Sequence, residues 1–542
     1  MYLEIAFNVL GGLGIFLFGM DSMSSGMQKL AGQRLKKILA LLTTNRVVAI
    51  LMGMLVTMLV QSSSVSTVMT IGFVNASLLT LKQALGVIFG ANIGTTITGW
   101  ILVLNIGKYG LPMVGAGAIL YMFLKGEKAK TRALTFMGLG MIFLGLQLMS
   151  NGLKPVRSMP EFVRLFSLFS ADTYFGVLKV AFIGALITAI VQSSSATLGI
   201  TITLAVQGLI DYPTAVALVL GENVGTTITA FLATLNANAN AKRAAYAHTI
   251  INTVGVIWVT SIFPLYLNFL SNFGSPEENI TMAIATAHTM FNISNVILFT
   301  PFIGILADFL TKVVKDDEVK SERITHIDEL MLKTPSIVVG QTKTEVLNMG
   351  KHISEMFSTL KDIYHSNKSI SDDEVKRMRK IEDDLDIYQK EITTANFIIL
   401  NKDITEKLKL DTKNNLEVCD EYETISDYLM RIISSLKKLQ DNSIQLTEEE
   451  RNTLTMMNKD TEELFRNVNT AYATKNKDMM LRAIAKANSI TENYRIAKDK
   501  HLINAGCHET PIVMLTTNYM DTLNYYRRVR DHIYNIIEGF EI

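Results

Sequence analysis

The feature that most constrains this chain is a pattern of polar residues and glycines that occurs twice, 131 residues apart, within apolar sequence. The polar cluster Gln61-Ser62-Ser63-Ser64 recurs as Gln192-Ser193-Ser194-Ser195. The same shift superposes further residues, namely Gly53 on Gly184, Thr57 on Thr188, Gly90 on Gly221, Asn92 on Asn223, and Gly94-Thr95-Thr96 on Gly225-Thr226-Thr227. Repetition of several motifs at one offset predicts an internally duplicated architecture.

A glycine-rich segment near the start of each copy repeats at a slightly different offset of 126 residues. This match joins Gly14, Gly19, Met23, Ser24 and Gly26 to Gly140, Gly145, Met149, Ser150 and Gly152. Each copy therefore begins with a similar leading helix.

Composition separates the chain into two parts. Hydrophobic residues make up 49% and charged residues 19% of the 542 residues, and the mean hydropathy is +0.27. Apolar stretches are confined to residues 1–312, whereas the remainder is densely charged. This segregation predicts an all-α polytopic membrane domain followed by a soluble helical bundle. The net charge of +1 does not point to a partner such as nucleic acid.

Seven apolar segments are drawn as candidate spans on the basis that a bilayer crossing needs roughly 20 residues: 5–27, 84–104, 109–124, 132–150, 213–235, 243–265 and 281–311. Because the first has no basic residues before it and no evident cleavage site, we expect a retained helix rather than a signal peptide. Two more apolar segments, 46–80 and 175–210, are interrupted by the serine clusters. Each is either a pair of spans or a re-entrant hairpin, and the interruption favours the hairpin.

Basic residues set the expected orientation. Four groups fall on one side of the bilayer whether the interrupted segments cross twice or not at all: Lys29 to Arg46, Lys125 to Arg132, Lys242-Arg243, and Lys312 to Lys320. The positive-inside rule makes that side cytoplasmic, although Lys154, Arg157 and Arg164 then lie outside. Three crossings separate the two leading helices, so the copies, about 5–124 and 132–265, are predicted to be inverted repeats.

The serine clusters offer chemistry suited to small ions. Serine hydroxyls can donate to an anion or accept from a cation, and helix N-termini add free N–H groups with partial positive charge. The alternative is that these hydroxyls only bond to the preceding helical turn or join helices. Because the cluster is duplicated, we favour a binding site at Gln61 to Ser64 and Gln192 to Ser195, with Thr57 and Thr188 in support.

The second repeated motif contains Asn92, Thr95 and Thr96 in one copy and Asn223, Thr226 and Thr227 in the other. Its glycines also fit close helix packing, and both roles are compatible. Glu222 has Ala91 as its counterpart, so the predicted site is asymmetric. An ionisable residue at membrane depth is a candidate cation partner, unless its segment ends early and leaves it interfacial.

A third motif joins His248 with Asn252 and, forty residues later, His288 with Asn292. Histidine and asparagine at this spacing share one helix face. Hydrogen bonds that hold the last two spans together explain the motif at least as well as a role in substrate binding. The chain lacks a GxxxxGK[ST] phosphate loop, so transport would depend on an ion gradient or be passive.

The soluble half is predicted to form six amphipathic helices at about 343–368, 371–402, 411–440, 446–476, 478–503 and 510–539. Cys419 and Cys507, the two cysteines, lie far apart, which suits a reducing compartment. Acidic residues cluster at Glu382, Asp386, Glu423 and Asp427. Facing helices can hold a metal with such carboxylates, but a solvated face is the favoured interpretation.

On the two QSSS clusters, the GANIGTT and GENVGTT segments and the AHTxxN repeat, residues 1–312 resemble the bacterial branch of the type II sodium/phosphate cotransporter family. The resemblance implies a multi-pass protein of the bacterial inner membrane. It also implies sodium-driven movement of inorganic phosphate, with substrate and sodium contacts at the QSSS hairpins.

After a linker at 313–340, residues 341–542 resemble a PhoU-type domain of two three-helix repeats, on the stretches 381–392, 421–433 and 524–537. This resemblance implies a cytoplasmic regulatory domain that binds a protein partner or a second copy. It also implies divalent or transition metal ligands at Glu382, Asp386, Glu423 and Asp427. The second repeat has Asn488, Glu492, Arg527 and Asp531 at the equivalent positions, which argues against a second metal cluster.

Three functions remain open at this point. The first is sodium-coupled phosphate transport with a helical domain that senses or gates. The second is phosphate export, or transport of another small anion. The third is a membrane-anchored regulator with an inert core, which does not account for duplicated serines within apolar segments.

Overall fold

The structure is a computed structural model that describes residues 2–40, 45–76, 78–104, 107–159, 161–162, 169–235, 237–315, 325, 327, 332, 334–365, 369–506 and 513–539. Every regular element in these ranges is a helix, as predicted. The chain forms two compact units. The first, the membrane unit, contains residues 1–320 and 328–336; the second, the C-terminal unit, contains residues 321–327 and 337–542.

The membrane unit is built from fifteen α-helices among its described residues: α1 (Tyr2–Ala40), α2 (Arg46–Val60), α3 (Ser63–Asn75), α4 (Leu81–Thr95), α5 (Ile97–Val103), α6 (Gly107–Phe123), α7 (Glu127–Leu153), α8 (Tyr174–Val191), α9 (Ser194–Val206), α10 (Tyr212–Gly225), α11 (Thr227–Ala233), α12 (Ala239–Ser261), α13 (Phe263–Leu270), α14 (Ile280–Phe299) and α15 (Ile303–Val313). Short 3-10 turns follow α7, α13 and α14.

Local sequence explains where several of these helices begin. The Thr80 side chain accepts from the Gln83 N–H while the Gln83 side chain accepts from the Thr80 N–H, which forms a capping box for α4. Asp211 and Asn238 cap α10 and α12 through a single side-chain oxygen. Each cap satisfies an N–H group that the first helical turn leaves without a partner.

Six helical segments are long and apolar enough to cross a membrane: Tyr2–Ala31, Leu81–Val103, Glu127–Ser158, Tyr174–Val191, Tyr212–Ala233 and Ile280–Val313. A seventh candidate, Ala239–Ser261 with Phe263–Phe273, is bent by 88°. The predicted span 243–265 is therefore bent near its end, because one helix stops at Ser261 and the next begins at Phe263 with Pro264 in its first turn. Helices α2, α3, α6 and α9 are shorter, with 13 to 17 residues each.

The two copies pack internally in the same way. In the first copy α2 lies against α4, and a Cβ placed on Gly53 or Gly90 would lie 2.1 Å from the Val87 oxygen or 1.9 Å from the Ile50 oxygen. In the second copy α8 lies against α10, and the corresponding distances are 2.2 Å from Gly184 to the Leu218 oxygen and 1.8 Å from Gly221 to the Ala181 oxygen. Every residue in the second set follows its counterpart by 131 positions, so the sequence repeat is also a packing repeat.

The two leading helices contact each other through glycines. A Cβ on Gly12 would lie 2.8 Å from the Gly145 oxygen, and one on Gly19 would lie 2.7 Å from the Gly138 oxygen. As residue numbers rise along α1 they fall along α7, so the helices run antiparallel. Because only glycine permits this approach, the glycine spacing fixes how α1 and α7 pack.

The two copies also contact each other through helices that follow their repeated motifs. Helix α5 of the first copy packs against α9 of the second, and α11 of the second packs against α3 of the first. Gly99 of α5 faces Leu198 of α9, with Ala285 of α14 beside it. Each helix that follows a QSSS cluster therefore contacts the helix that follows the GTT motif of the other copy.

The C-terminal unit contains six described α-helices: α16 (Pro335–His365), α17 (Asp372–Leu400), α18 (Glu406–Asp441), α19 (Glu448–Thr474), α20 (Lys477–Gly506) and α21 (Val513–Gly539). They follow the predicted order, although α16 begins inside the segment predicted to be a linker. Helix α18 packs against α17 and α21, and α20 packs against α19 and α21. The largest side chains of its core are Tyr422, Tyr472, Tyr526, Phe357 and Phe465.

Candidate functional site

Each QSSS cluster forms a sharp break between two helices. Gln61 ends α2 and Gln192 ends α8, and both adopt the left-handed conformation with φ of 56°. The next residues, Ser62 and Ser193, are extended and cap α3 and α9 by accepting from the N–H groups of Val65 and Ala196. Left-handed backbone costs a residue other than glycine about 1 kcal/mol, and among the described residues Ser443 and Lys475 adopt it as well. The two glutamines differ from these in that they occupy equivalent positions of the repeat.

The remaining serines lie in the first turn of α3 and α9. Ser63 and Ser194 are buried, and Ser64 and Ser195 are half-buried. Among the described residues, none of these four hydroxyls has a hydrogen-bond partner. The alternative was that these serine hydroxyls only form hydrogen bonds to the preceding helical turn. Such bonds are made instead by residues of the next turn, where Ser66 and Thr197 donate to the carbonyls of Ser62 and Ser193. Both breaks thus present free hydroxyls at a helix N-terminus, where partial positive charge accumulates.

The two breaks differ in their surroundings. Gln61 is buried and donates to the Met58 carbonyl over 2.6 Å, while its Oε1 has no partner among the described residues. Gln192 is exposed. The Thr57 hydroxyl is buried without a partner in the described structure, whereas the Thr188 hydroxyl donates to Thr197 over 2.9 Å.

The GTT motifs form a second pair of breaks beside the first. Helices α4 and α5 meet at Thr96, and α10 and α11 meet at Thr226. The hydroxyls of Thr95, Thr96, Thr226 and Thr227 all donate to carbonyls three or four residues earlier, so their oxygens remain available only as acceptors. A Cβ on Gly94 or Gly225 would lie 2.8 or 2.7 Å from the Cβ of Thr57 or Thr188, one turn before each glutamine.

On α4 of the first copy, Asn92 joins a network of polar side chains in which both asparagine oxygens have partners, whereas His248 Nδ1 has none among the described residues. Its Nδ2 donates to Asn252 Oδ1 over 3.1 Å, and its Oδ1 lies 3.1 Å from His248 Nε2. Asn252 in turn donates to the His248 carbonyl over 3.0 Å. All three residues are buried, and the network links α4 to α12.

In the second copy, the equivalent network links α10 to α14 but is incomplete. Asn292 donates to Asn223 Oδ1 over 3.2 Å and to the His288 carbonyl over 3.0 Å. Glu222 is fully buried, and His288 Nε2 approaches its Oε1 only to 4.0 Å. Both oxygens of Glu222 and the Asn292 Oδ1 lack hydrogen-bond partners among the described residues. Glu222 lies in the middle of the candidate span Tyr212–Ala233, which favours the interpretation at membrane depth over the interfacial one.

The histidine motifs therefore connect each copy to one of the last two long helices. The predicted hydrogen bonds do hold helices together, but they join α12 and α14 to the Asn-containing helices α4 and α10. Contacts between α12 and α14 come from Asn295, which the sequence analysis missed. Asn295 donates to the Ile251 carbonyl and accepts from Trp258. Its position three residues after Asn292, on the same helix face, was the available signal.

In the C-terminal unit, three of the four predicted metal ligands come together. Oxygens of Asp386, Glu423 and Asp427 lie within 4.8 Å of one another. Partial burial and the neighbouring carboxylates raise the pKa of Glu382, Asp386 and Glu423. Such groups occur on many protein surfaces without a metal, so the metal site remains a prediction.

The equivalent positions in the second half of this unit carry an arginine-centred cluster. Arg530 donates to Asp531 over 2.9 Å and to the Ala487 carbonyl over 2.9 Å, and lies 3.4 Å from Asn488. Arg527 lies 3.7 Å from Asp531. Positive charges of Arg530 and Arg527 therefore lie beside the Asp531 carboxylate.

Two repeated helix breaks, buried polar networks and six or seven apolar spans define a multi-pass membrane protein of the transporter class. Residues 15–151 and 163–274 match the model of the family described as Na+/Pi-cotransporter. The uncharacterized protein YqeW of Bacillus subtilis is 30% identical over 305 residues, which cover 56% of this chain and 95% of that protein. The chain belongs to this family.

Other relatives carry names that refer to phosphate. The Escherichia coli K12 protein named "Putative inorganic phosphate export protein YjbB" is 25% identical over 431 residues, covering 79% of this chain and 77% of its own length. The human sodium-dependent phosphate transport protein 2B is 42% identical over 100 residues, covering 18% of this chain and 14% of its own length. No solved structure matches the chain.

Proposed function

We propose that this protein is a sodium-coupled transporter of inorganic phosphate with its binding site at the two QSSS breaks. The observation that carries the proposal is the pair of identical helix breaks, each presenting two serine hydroxyls without partners among the described residues. Phosphate needs donors, which the hydroxyls and the first N–H groups of α3 and α9 supply. Sodium needs neutral oxygens, which serine, threonine and the glutamine and asparagine amides supply.

Inverted repeats would place both breaks at one site. Gly19 of α1 contacts Gly138 of α7, and its counterpart Gly145 contacts Gly12, so the contacts are exchanged between the antiparallel helices as expected for a twofold axis in the membrane plane. The reciprocal contacts of α5 with α9 and of α11 with α3 have the same symmetry. Transporters of this architecture bind substrate at the interface between repeats.

The breaks are best explained as tips of re-entrant hairpins. Helices α2, α3 and α9 have 15, 13 and 13 residues, so each is roughly 20 Å long, short of the ~30 Å hydrocarbon core. Helix α8, with 18 residues, is longer and is itself a candidate span. A hairpin that turns back within the bilayer leaves its tip buried in protein or facing a cavity. The serines at such a tip would be reached from water through the protein rather than from lipid.

The basic residues orient the membrane unit with its C-terminal continuation in the cytoplasm. The C-terminal unit would regulate transport there, as its resemblance to PhoU-type domains implies. Its six helices pack in an order that fits two three-helix repeats, with α18 and α21 in contact. Regulation would act through a protein partner or a second copy bound to this unit.

Phosphate export is a second candidate, favoured by the relative YjbB, whose similarity extends over 79% of this chain. The two candidates share one site, because coupled transport reverses when the combined sodium and phosphate gradients reverse. Only flux measurements in both directions separate them.

The test is radiolabelled phosphate flux in proteoliposomes that contain the full chain. We expect uptake with an inward sodium gradient and little with choline in place of sodium. The double variant Ser63→Ala with Ser194→Ala should lose about 99% of this flux, because two donors disappear from the site. The matched control replaces Ser261 and Ser271, two exposed serines whose hydroxyls only bond to their own helical turn.

Each outcome has a separate meaning. Equal uptake in sodium and choline would refute sodium coupling, and full flux in the Ser63 and Ser194 variant would refute the site. Efflux from phosphate-loaded vesicles that exceeds uptake at equal and opposite gradients would favour the export candidate.

A further inference from the structure

Helix α10 carries a buried carboxylate without hydrogen-bond partners among the described residues, and the equivalent helix of the first copy, α4, has alanine at that position. In the second copy both oxygens of Glu222 and Oδ1 of Asn292 are buried without hydrogen-bond partners among the described residues. At the equivalent site on α4, Ala91 replaces Glu222, and the side-chain oxygens of Asn92 and Asn252 both have hydrogen-bond partners. The buried group without a partner there is His248 Nδ1, which is not a carboxylate.

A buried carboxylate without a partner destabilises the folded state, because no interaction in the protein offsets the hydration that its charge loses. His288 does not supply such an interaction. An imidazolium needs an acceptor at each ring nitrogen, yet His288 Nδ1 has none among the described residues and Nε2 is 4.0 Å from Glu222 Oε1. A charged pair would close to roughly 2.8 Å. His288 therefore makes no close ion pair with Glu222, and the carboxylate is left available to another cation.

A protonated Glu222 fits less well than a bound ion. A carboxylic acid must donate its proton to an acceptor, and neither Glu222 oxygen lies within hydrogen-bonding distance of one in the described residues. A cation, by contrast, needs only acceptor oxygens, which the Glu222 carboxylate and the Asn292 amide, one helical turn from His288, leave without partners among the described residues. One carboxylate among neutral oxygens balances the single positive charge of a monovalent ion.

We propose that Glu222 and Asn292 bind a sodium ion in the second copy, at a site that has no counterpart in the first. Asn223 holds Asn292 in place by accepting from its Nδ2 over 3.2 Å, which leaves Oδ1 free for the ion. The inference rests on the proposed function, since it assigns one coupling ion of that transporter. The inference adds to the proposed function a sodium site that is not repeated in the duplicated fold.

Binding can be measured without transport. Purified full-length protein, free of phosphate, should melt at a higher temperature in sodium chloride than in an equal concentration of choline chloride, because a ligand that binds the folded state stabilises it. The shift should disappear in Glu222→Gln, which keeps the shape of the side chain and removes its charge. Asn292→Ala should reduce the shift and provides the test if Glu222→Gln does not fold. Glu278→Gln, at an exposed position of the same unit, should retain it.

Flux measurements separate this inference from the proposed function. In Glu222→Gln the sodium concentration for half-maximal phosphate flux should rise roughly tenfold or more, as for loss of an ion ligand. Sodium-dependent flux with wild-type sodium affinity in this variant, or a sodium-induced melting shift that survives it, would overturn the inference and leave the proposed function standing. A wild-type protein with a Glu222-dependent melting shift but no phosphate flux would support the ion site and refute the proposed function.

Discussion

Replacing Gly221 with alanine should damage both packing and transport. A Cβ at this position would lie 1.8 Å from the Ala181 carbonyl oxygen, whereas Cβ contacts essentially never fall below 3.0 Å. The obstacle is backbone, so it cannot rotate away, and α10 must move from α8 by about 1 Å in a tightly packed core. Overpacking of this kind costs about 3 kcal/mol at the upper end of its usual range. Because Glu222 and Asn223 follow directly, a displacement of this size should lower phosphate flux roughly 100-fold.

The assay compares melting temperature in detergent with sodium-dependent phosphate flux in proteoliposomes. Gly90→Ala, with its Cβ 1.9 Å from the Ile50 oxygen, should behave like Gly221→Ala. Gly14→Ala is the control, because nothing lies within 4 Å of a Cβ there, and alanine should stabilise the helix by up to ~1 kcal/mol. If Gly221→Ala matches Gly14→Ala in stability and flux, the close contact of α8 and α10 is not what positions the site.

Three further predictions concern other parts of the chain. Gln192→Gly should remove about 1 kcal/mol of strain from the left-handed backbone and yet lower phosphate flux. Unchanged flux would mean that Gln192 serves only to form the turn. Asn92→Ala should lower thermal stability by about 1–3 kcal/mol, because it leaves the buried His248 without its partner; an unchanged melting temperature would contradict the network. Asp427→Asn should stabilise the C-terminal unit at neutral pH by less than ~1 kcal/mol. The pKa of Glu423 is raised in the folded state, so Glu423 contributes most to folding stability at low pH and progressively less as the pH rises through that pKa. The stabilisation by Asp427→Asn should therefore vanish in acid, which melting temperatures measured against pH would test.

The helix breaks could be predicted from sequence because their cause is local. A polar cluster within an apolar segment interrupts the helix, and Ser62 and Ser193 then cap the next one. The close packing of Gly90 and Gly221 was also predictable, since four-residue glycine spacing is typical of helix contacts. Duplication strengthened both inferences because each copy served as a check on the other.

The polar networks could not be predicted because their partners are distant in sequence. Asn92 bonds to residues 156 and 160 positions away, and only the packing of α4 on α12 brings them together. The sequence showed that Glu222 replaces Ala91, but not that its oxygens would be buried without partners. The bend after Ser261 was missed although Pro264 signalled it, because the surrounding residues are uniformly apolar.

The glycine contact between α1 and α7 has a consequence for biosynthesis. Synthesis at roughly 5–20 residues per second completes α1 about 5 to 25 s before α7 leaves the ribosome. During that interval the glycine face of α1 has only lipid or other proteins to contact, so insertion must stabilise a helix whose permanent partner does not yet exist. A nascent chain truncated before α7 would be expected to remain bound to the insertion machinery, and release should begin only once the second leading helix is made.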